Sequence, residues 1–76
     1  MNELVEYIVK ALVDDPSSVR INRVDGQGVT VYEVSVATSD LGRVIGRHGR
    51  IANALRSVVK AAASKHDRRV TIEIMS

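Results

Sequence analysis

Apolar residues are spaced differently in successive stretches of this chain. Leu4, Val5, Ile8, Val9 and Leu12 recur at intervals of one, three and four, which predicts a helix with one apolar face, and Asn2 stands where a helix cap is wanted. Asp14-Asp15-Pro16 ends that helix, because the residue before a proline avoids helical geometry. Val19 and Ile21 alternate with polar residues and predict a strand. Asp25-Gly26-Gln27-Gly28 predicts a turn. Val29 to Ala37 is rich in β-branched residues, holds Tyr32 and predicts a second strand. Its alternation changes phase near Val31-Tyr32, as a bulge or burial on both faces would produce. The two strands are expected to pair as an antiparallel hairpin.

Ser39 or Asp40 is placed to cap a short helix running through Ile45, which Gly42 weakens. Beyond Gly46-Arg47-His48-Gly49, a longer helix carries Ile51, Leu55, Val58, Val59 and Ala62 as one apolar stripe. Arg50, Asn53, Arg56, Ser57 and Lys60 lie off it. Lys65-His66-Asp67-Arg68 reads as a short loop. Val70, Ile72 and Ile74 then alternate with Thr71, Glu73 and Met75 in a last strand. The order is α-β-β-α-α-β. A connection of two helices between the second and third strands favours a parallel pair and a right-handed crossover. The expected fold is α+β, a three-stranded mixed sheet with three helices packed on one face, in a single domain spanning residues 1–76.

Charge sharpens this outline. The net charge of +2 hides an asymmetry. Residues 1–39 set Lys10, Arg20 and Arg23 against Glu3, Glu6, Asp14, Asp15, Asp25 and Glu33. Residues 40–69 hold Arg43, Arg47, Arg50, Arg56, Lys60, Lys65, Arg68 and Arg69, opposed only by Asp40 and Asp67. A soluble helix with a basic face would account for the charges, but not for their centring on two glycines. Clustered positive charge is the electrostatic footprint of a nucleic-acid binder. Composition trims the alternatives. With 76 residues the chain has little room for a shielded enzyme pocket, and no cysteine is present for thiolate chemistry, disulfides or zinc–sulfur sites. No apolar run approaches a membrane span, and the N-terminus is acidic rather than signal-like, so a cytoplasmic location is expected.

The chemistry concentrates in Val44-Ile45-Gly46-Arg47-His48-Gly49-Arg50-Ile51. A GxxG tetrapeptide alone is weak, arising by chance in about a third of chains this short. Here it sits between two helices amid basic residues. Glycines let a phosphate-bearing strand lie close to the main chain, and the amides opening the next helix favour an anion. Arg43, Arg47 and Arg50 add formal charge. With GxxG in this place in this element order, the chain resembles a type II KH domain. It is similar in particular to the small bacterial single-KH proteins of the KhpA family, through Val-Ile-Gly-Arg-His-Gly-Arg-Ile-Ala, Ala-Leu-Arg and Val-Val-Lys-Ala-Ala-Ala. The resemblance covers essentially the whole chain. One departure is Ala52, where many KH domains carry a large aliphatic residue three positions after the second glycine.

The resemblance implies single-stranded RNA as partner, with the backbone clamped at GxxG and bases splayed along a groove. It assigns to RNA binding Gly42, Arg43, Val44, Gly46, Arg47, His48, Gly49, Arg50 and Asn53. Gly42 and Val44 would line an apolar floor, Arg47 would face phosphate, and Asn53 would reach a base edge. Lys65, Arg68 and Arg69 would border the opposite wall. Other readings stand beside these. Ile45 reads as core, Val44 is open between core and groove, Gly42 as a helix irregularity, and Tyr7 as packing on the first helix. His48 reads as a solvated loop residue without a relay partner, and no nucleophile–base pair or Walker loop is visible, so neither enzymatic activity nor a cofactor or metal is expected. The resemblance further implies an RNA chaperone or post-transcriptional regulator. It also implies a subunit that forms a homodimer or joins a second KH-containing protein. Protein–protein interaction as the main role is the alternative. A groove for about four nucleotides, with few aromatic residues to stack on, gives weak affinity alone, so self-association or a partner is expected.

Overall fold

The computed structural model describes residues 2–63 and 69–76; the loop expected at Lys65-His66-Asp67-Arg68 lies outside the described residues. Helix α1 (Asn2–Leu12) buries Val5 and Val9 completely. Glu3 in its first turn and Lys10 in its last oppose the helix dipole, and Lys10 also meets Glu6 one turn back at 2.7 Å. The chain leaves α1 through a short 3₁₀ turn at Pro16–Ser18. There the Asp15 carboxylate accepts the Ser17 and Ser18 hydroxyls, each at 2.6 Å. Those two bonds hold its pKa below the usual carboxylate value.

Strand β1 (Arg20–Gly26) pairs antiparallel with β2 (Val29–Ser35), from Arg20 opposite Ser35 to Gly26 opposite Val29. Asp25 and Gly26 therefore belong to the strand, and the expected four-residue turn shrinks to Gln27 and Gly28, with Gly28 at φ +70°. β2 stops at Ser35, short of Ala37, but the Val36 amide still donates to the Met75 carbonyl. No bulge interrupts the register. Thr30, Tyr32, Val34 and Val36 all face the helices and are buried, while Val29, Val31, Glu33 and Ser35 are half-buried on the other face. The apparent phase change comes from Thr30, a polar residue on the core side whose hydroxyl donates to Asp25 at 2.8 Å.

After a 3₁₀ turn at Thr38–Asp40 come α2 (Leu41–Ile45), the GxxG turn, α3 (Arg50–Ala63) and β3 (Arg69–Met75). β3 runs parallel to β2, giving the strand order β1-β2-β3 with one antiparallel and one parallel pair. The result is the expected mixed sheet covered on one face by three helices. Val5, Val9, Tyr32, Val34, Val44, Leu55, Val59 and Ile72 meet in one core, drawn from every element except β1. β1 adds the half-buried Ile21 at its margin. Of the stripe expected on α3, Leu55 and Val59 are buried, together with Ala52 and Ala63. Val58 is 48% exposed and Ala62 is exposed.

Candidate nucleic-acid interface

The segment that joins α2 to α3 is a tight turn. The Gly46 amide closes α2 on the Gly42 carbonyl at 2.8 Å, and the Gly49 amide donates to the Gly46 carbonyl at 3.1 Å. Gly46 and Gly49 have φ of +76° and +73°, and His48 between them is left-handed at φ 57°. The glycines differ in what surrounds them. A Cβ on Gly46 would stand 2.6 Å from Ile51 Cγ1, whereas on Gly49 the nearest atom is Asn53 Nδ2 at 3.9 Å. A Cβ on Gly42 would meet nothing within 4 Å. Gly46 is therefore required by the fold, with Ile51 packed over it. Gly42 and Gly49 have open space over their backbone. Ala52, beside Ile51 at the start of α3, is buried.

The residues expected to bind divide along this geometry. Gly42, Arg47, His48, Arg50 and Asn53 are exposed, and Gly46 and Gly49 are partly so. Val44 is not on the surface. It is fully buried in the core and has no area to offer a base, while Ile45 is 39% exposed. Ile45 was expected in the core and Val44 was open between core and groove; α2 turns its Val44 side toward the sheet, so Val44 is the core residue and Ile45 is not. Tyr7 does not pack on α1 and is largely exposed. Asp40 occupies the cap position of α2 without capping it. Its carboxylate turns instead to the connection after α1. Arg43 lies against carboxylates, with Nη2 2.9 Å from Asp14 and Nε 3.4 Å from Asp40.

A groove of about 500 Å³ lies between α3 and β3. Asn53, Arg56, Ser57 and Lys60 line it from the helix, and Arg69, Val70 and Thr71 from the strand. Arg56 donates to the Asn53 side-chain oxygen at 3.2 Å, which orients the amide beside the loop. Arg56 and Lys60 were readable only as residues off the apolar stripe; their spacing of four, in step with Asn53, was the available signal. In the first half of the chain Lys10 and Arg23 pair with carboxylates and Arg20 donates to backbone carbonyls. Among the described residues, Arg47, Arg50, Arg56, Lys60 and Arg69 pair with no carboxylate. No group of three His, Asp or Glu side chains suited to a metal occurs among the described residues, and no helix there is long and apolar enough to cross a membrane.

A GxxG turn between two helices, ahead of a parallel edge strand in an αββααβ domain, defines the type II KH fold. A family model described as KhpA/KhpB, KH domain, matches residues 2–74, and the chain belongs to that family. It is 51% identical over 75 residues to the RNA-binding protein KhpA of Caldanaerobacter subterraneus subsp. tengcongensis, covering 99% of this chain and 100% of that one. The RNA-binding protein KhpA of Clostridium perfringens is likewise 51% identical with the same coverage. That of Borreliella burgdorferi is 48% identical over 73 residues, covering 96% of this chain and 89% of the relative. No solved structure matches.

Proposed function

We infer that this protein binds single-stranded RNA without catalysing a reaction, clamping the strand's backbone at Gly46–Gly49 and laying its bases along the groove between α3 and β3. The observation that carries this is the set of cations that pair with no carboxylate among the described residues, Arg47 and Arg50 at the turn and Arg56, Lys60 and Arg69 along the α3–β3 groove, beside the open space over Gly42 and Gly49. A KH loop holds about four nucleotides by their phosphates. Arg47 and His48 face the strand from the turn, Arg50 supports them from the start of α3, and Asn53 meets a base edge. Ile45, not Val44, supplies the apolar surface beside Gly42. The names of the KhpA relatives support RNA as the ligand. In the cell such a module acts as an RNA chaperone or post-transcriptional regulator.

The test replaces Arg47 and His48 together by Asp. Both are exposed, so the circular dichroism spectrum stays that of the parent while RNA retention on nitrocellulose is lost. A folded double variant that binds RNA undiminished removes the loop from the mechanism.

A second element of the reading concerns assembly. An apolar groove of about 190 Å³ between α1 and α3 is lined by Ile8, Leu12, Ile51, Ala54, Leu55 and Val58. We assign this face to contact with a second copy of the chain or with another KH-containing protein, because one small groove grips RNA weakly and pairing two raises the effective concentration.

A further inference from the structure

Arg43 stands apart from the other described cations of the basic segment, because among the described residues it alone of them lies against carboxylates. Its partner Asp40 is 1% exposed. The two Asp40 oxygens accept the amides of Asp14 at 3.1 Å and Asp15 at 3.0 Å, and the Arg43 Nε lies 3.4 Å from one of them. Burying a carboxylate is costly unless its oxygens find partners, and here two amides and a guanidinium meet them. The other arm of the guanidinium reaches out to Asp14 at 2.9 Å. These three residues join parts of the chain that are distant in sequence, the exit from α1 and the start of α2. α2 is only five residues long and closes directly on Gly46. Whatever sets the start of α2 therefore sets where the GxxG turn stands.

We propose that Asp40 and Arg43 are positioning residues of the clamp, a tie between the end of α1 and the start of α2, and that Arg43 does not neutralise an RNA phosphate. A phosphate at Arg43 would compete with the two carboxylates already seated against it. Displacing Asp40 would also leave its buried charge with only its two amides. The proposal rests on the RNA reading for its affinity readout alone; its structural readout needs no RNA.

The experiment compares Arg43→Gln and Arg43→Lys with the parent, using amide NMR spectra of the free proteins and salt titrations of binding to a short single-stranded RNA. In Arg43→Gln the signals of Gly46–Gly49 shift in the free protein. Affinity falls about three- to tenfold, the size of one lost modest interaction. The slope of log affinity against log salt keeps the parent's value, because no phosphate contact has gone. Arg43→Lys loses affinity to a similar extent, since one ammonium cannot span both carboxylates as the planar fork does. A slope shallower by about 0.7 with unmoved loop signals makes Arg43 a phosphate contact and overturns the proposal. Full recovery by lysine overturns it too. Should both variants unfold, Asp14→Asn removes only the exposed outer carboxylate; it leaves the fold intact and shifts the same four amides, and unmoved signals there refute the tie. If the parent itself binds no RNA, the loop signals still decide the tie, and only the clamp reading falls.

Discussion

At Gly46 a methyl group would press against the β-branched Ile51 side chain 2.6 Å away, at a backbone angle of +76° that L-residues avoid. At Gly49 only the angle of +73° stands against it. Gly46→Ala is expected to cost about 2–4 kcal/mol, from strain and overpacking together. Gly49→Ala is expected to cost about 1–2 kcal/mol, from the left-handed backbone alone. Gly42 sits inside α2 with open space around it, so Gly42→Ala is expected to stabilise by about 0.5–1 kcal/mol. Urea denaturation ranks the three. RNA titration adds a second axis: if Gly42 is floor for a base, its alanine variant binds RNA less tightly although it is more stable. An alanine variant at Gly42 that is both more stable and equally tight would restrict the clamp to the turn.

Helix α3 serves three surroundings at once. Ala52, Leu55, Val59 and Ala63 are buried, with Leu55 and Val59 in the core, Asn53, Arg56, Ser57 and Lys60 face the basic groove, and Ile51, Ala54 and Val58 border the apolar groove beside α1. A helix with only two partners would need one apolar stripe; this one has a stripe wider than the sheet covers. Val58, half exposed and away from the basic groove, tests the third face without disturbing the second. Val58→Asp is expected to leave the fold and the groove cations in place and to shift the protein toward monomer in sedimentation at micromolar concentration. Its RNA affinity should fall with the loss of pairing. A parent that is strictly monomeric, alone or with a second KH-containing protein, and binds a short RNA as tightly as any mixture shows that one groove suffices.

Over the whole molecule, charge is sorted by partnership as well as by position. In the first half Lys10 and Arg23 pair with carboxylates and Arg20 donates to backbone carbonyls, whereas Arg47, Arg50, Arg56, Lys60 and Arg69 pair with no carboxylate among the described residues. Binding that neutralises phosphates releases counterions, so log affinity is expected to fall with log potassium chloride at about −0.7 per contact on a single strand. Arg47→Gln and Lys60→Gln should each make that slope shallower by about one contact, and they are expected to weaken all sequences alike. KH modules take splayed single-stranded bases rather than a paired helix, so on the RNA reading a single strand should outcompete a duplex of equal length. A flat salt response, or preference for the duplex, contradicts the reading.

The element order, the hairpin and the position of the turn were all legible in the chain, because each depends on local signals. Periodicity separates helix from strand, proline and glycine mark the breaks, and a two-helix crossover favours a parallel pair. Gly46–Gly49 and its exposed basic neighbours Arg47 and Arg50 were legible for the same reason. The misplaced residues lie where local signals run out. Five residues are too few for a helical period, so Ile45 read as core and Val44 stayed open; the docking of α2 on the sheet buried Val44 and left Ile45 exposed. Thr30 looked like a break in alternation until the hairpin set Asp25 opposite it. Asp40 read as a helix cap, the usual use of an aspartate before a helix. Its amide partners lie 25 and 26 residues earlier in the chain, and only folding brings that backbone to its carboxylate.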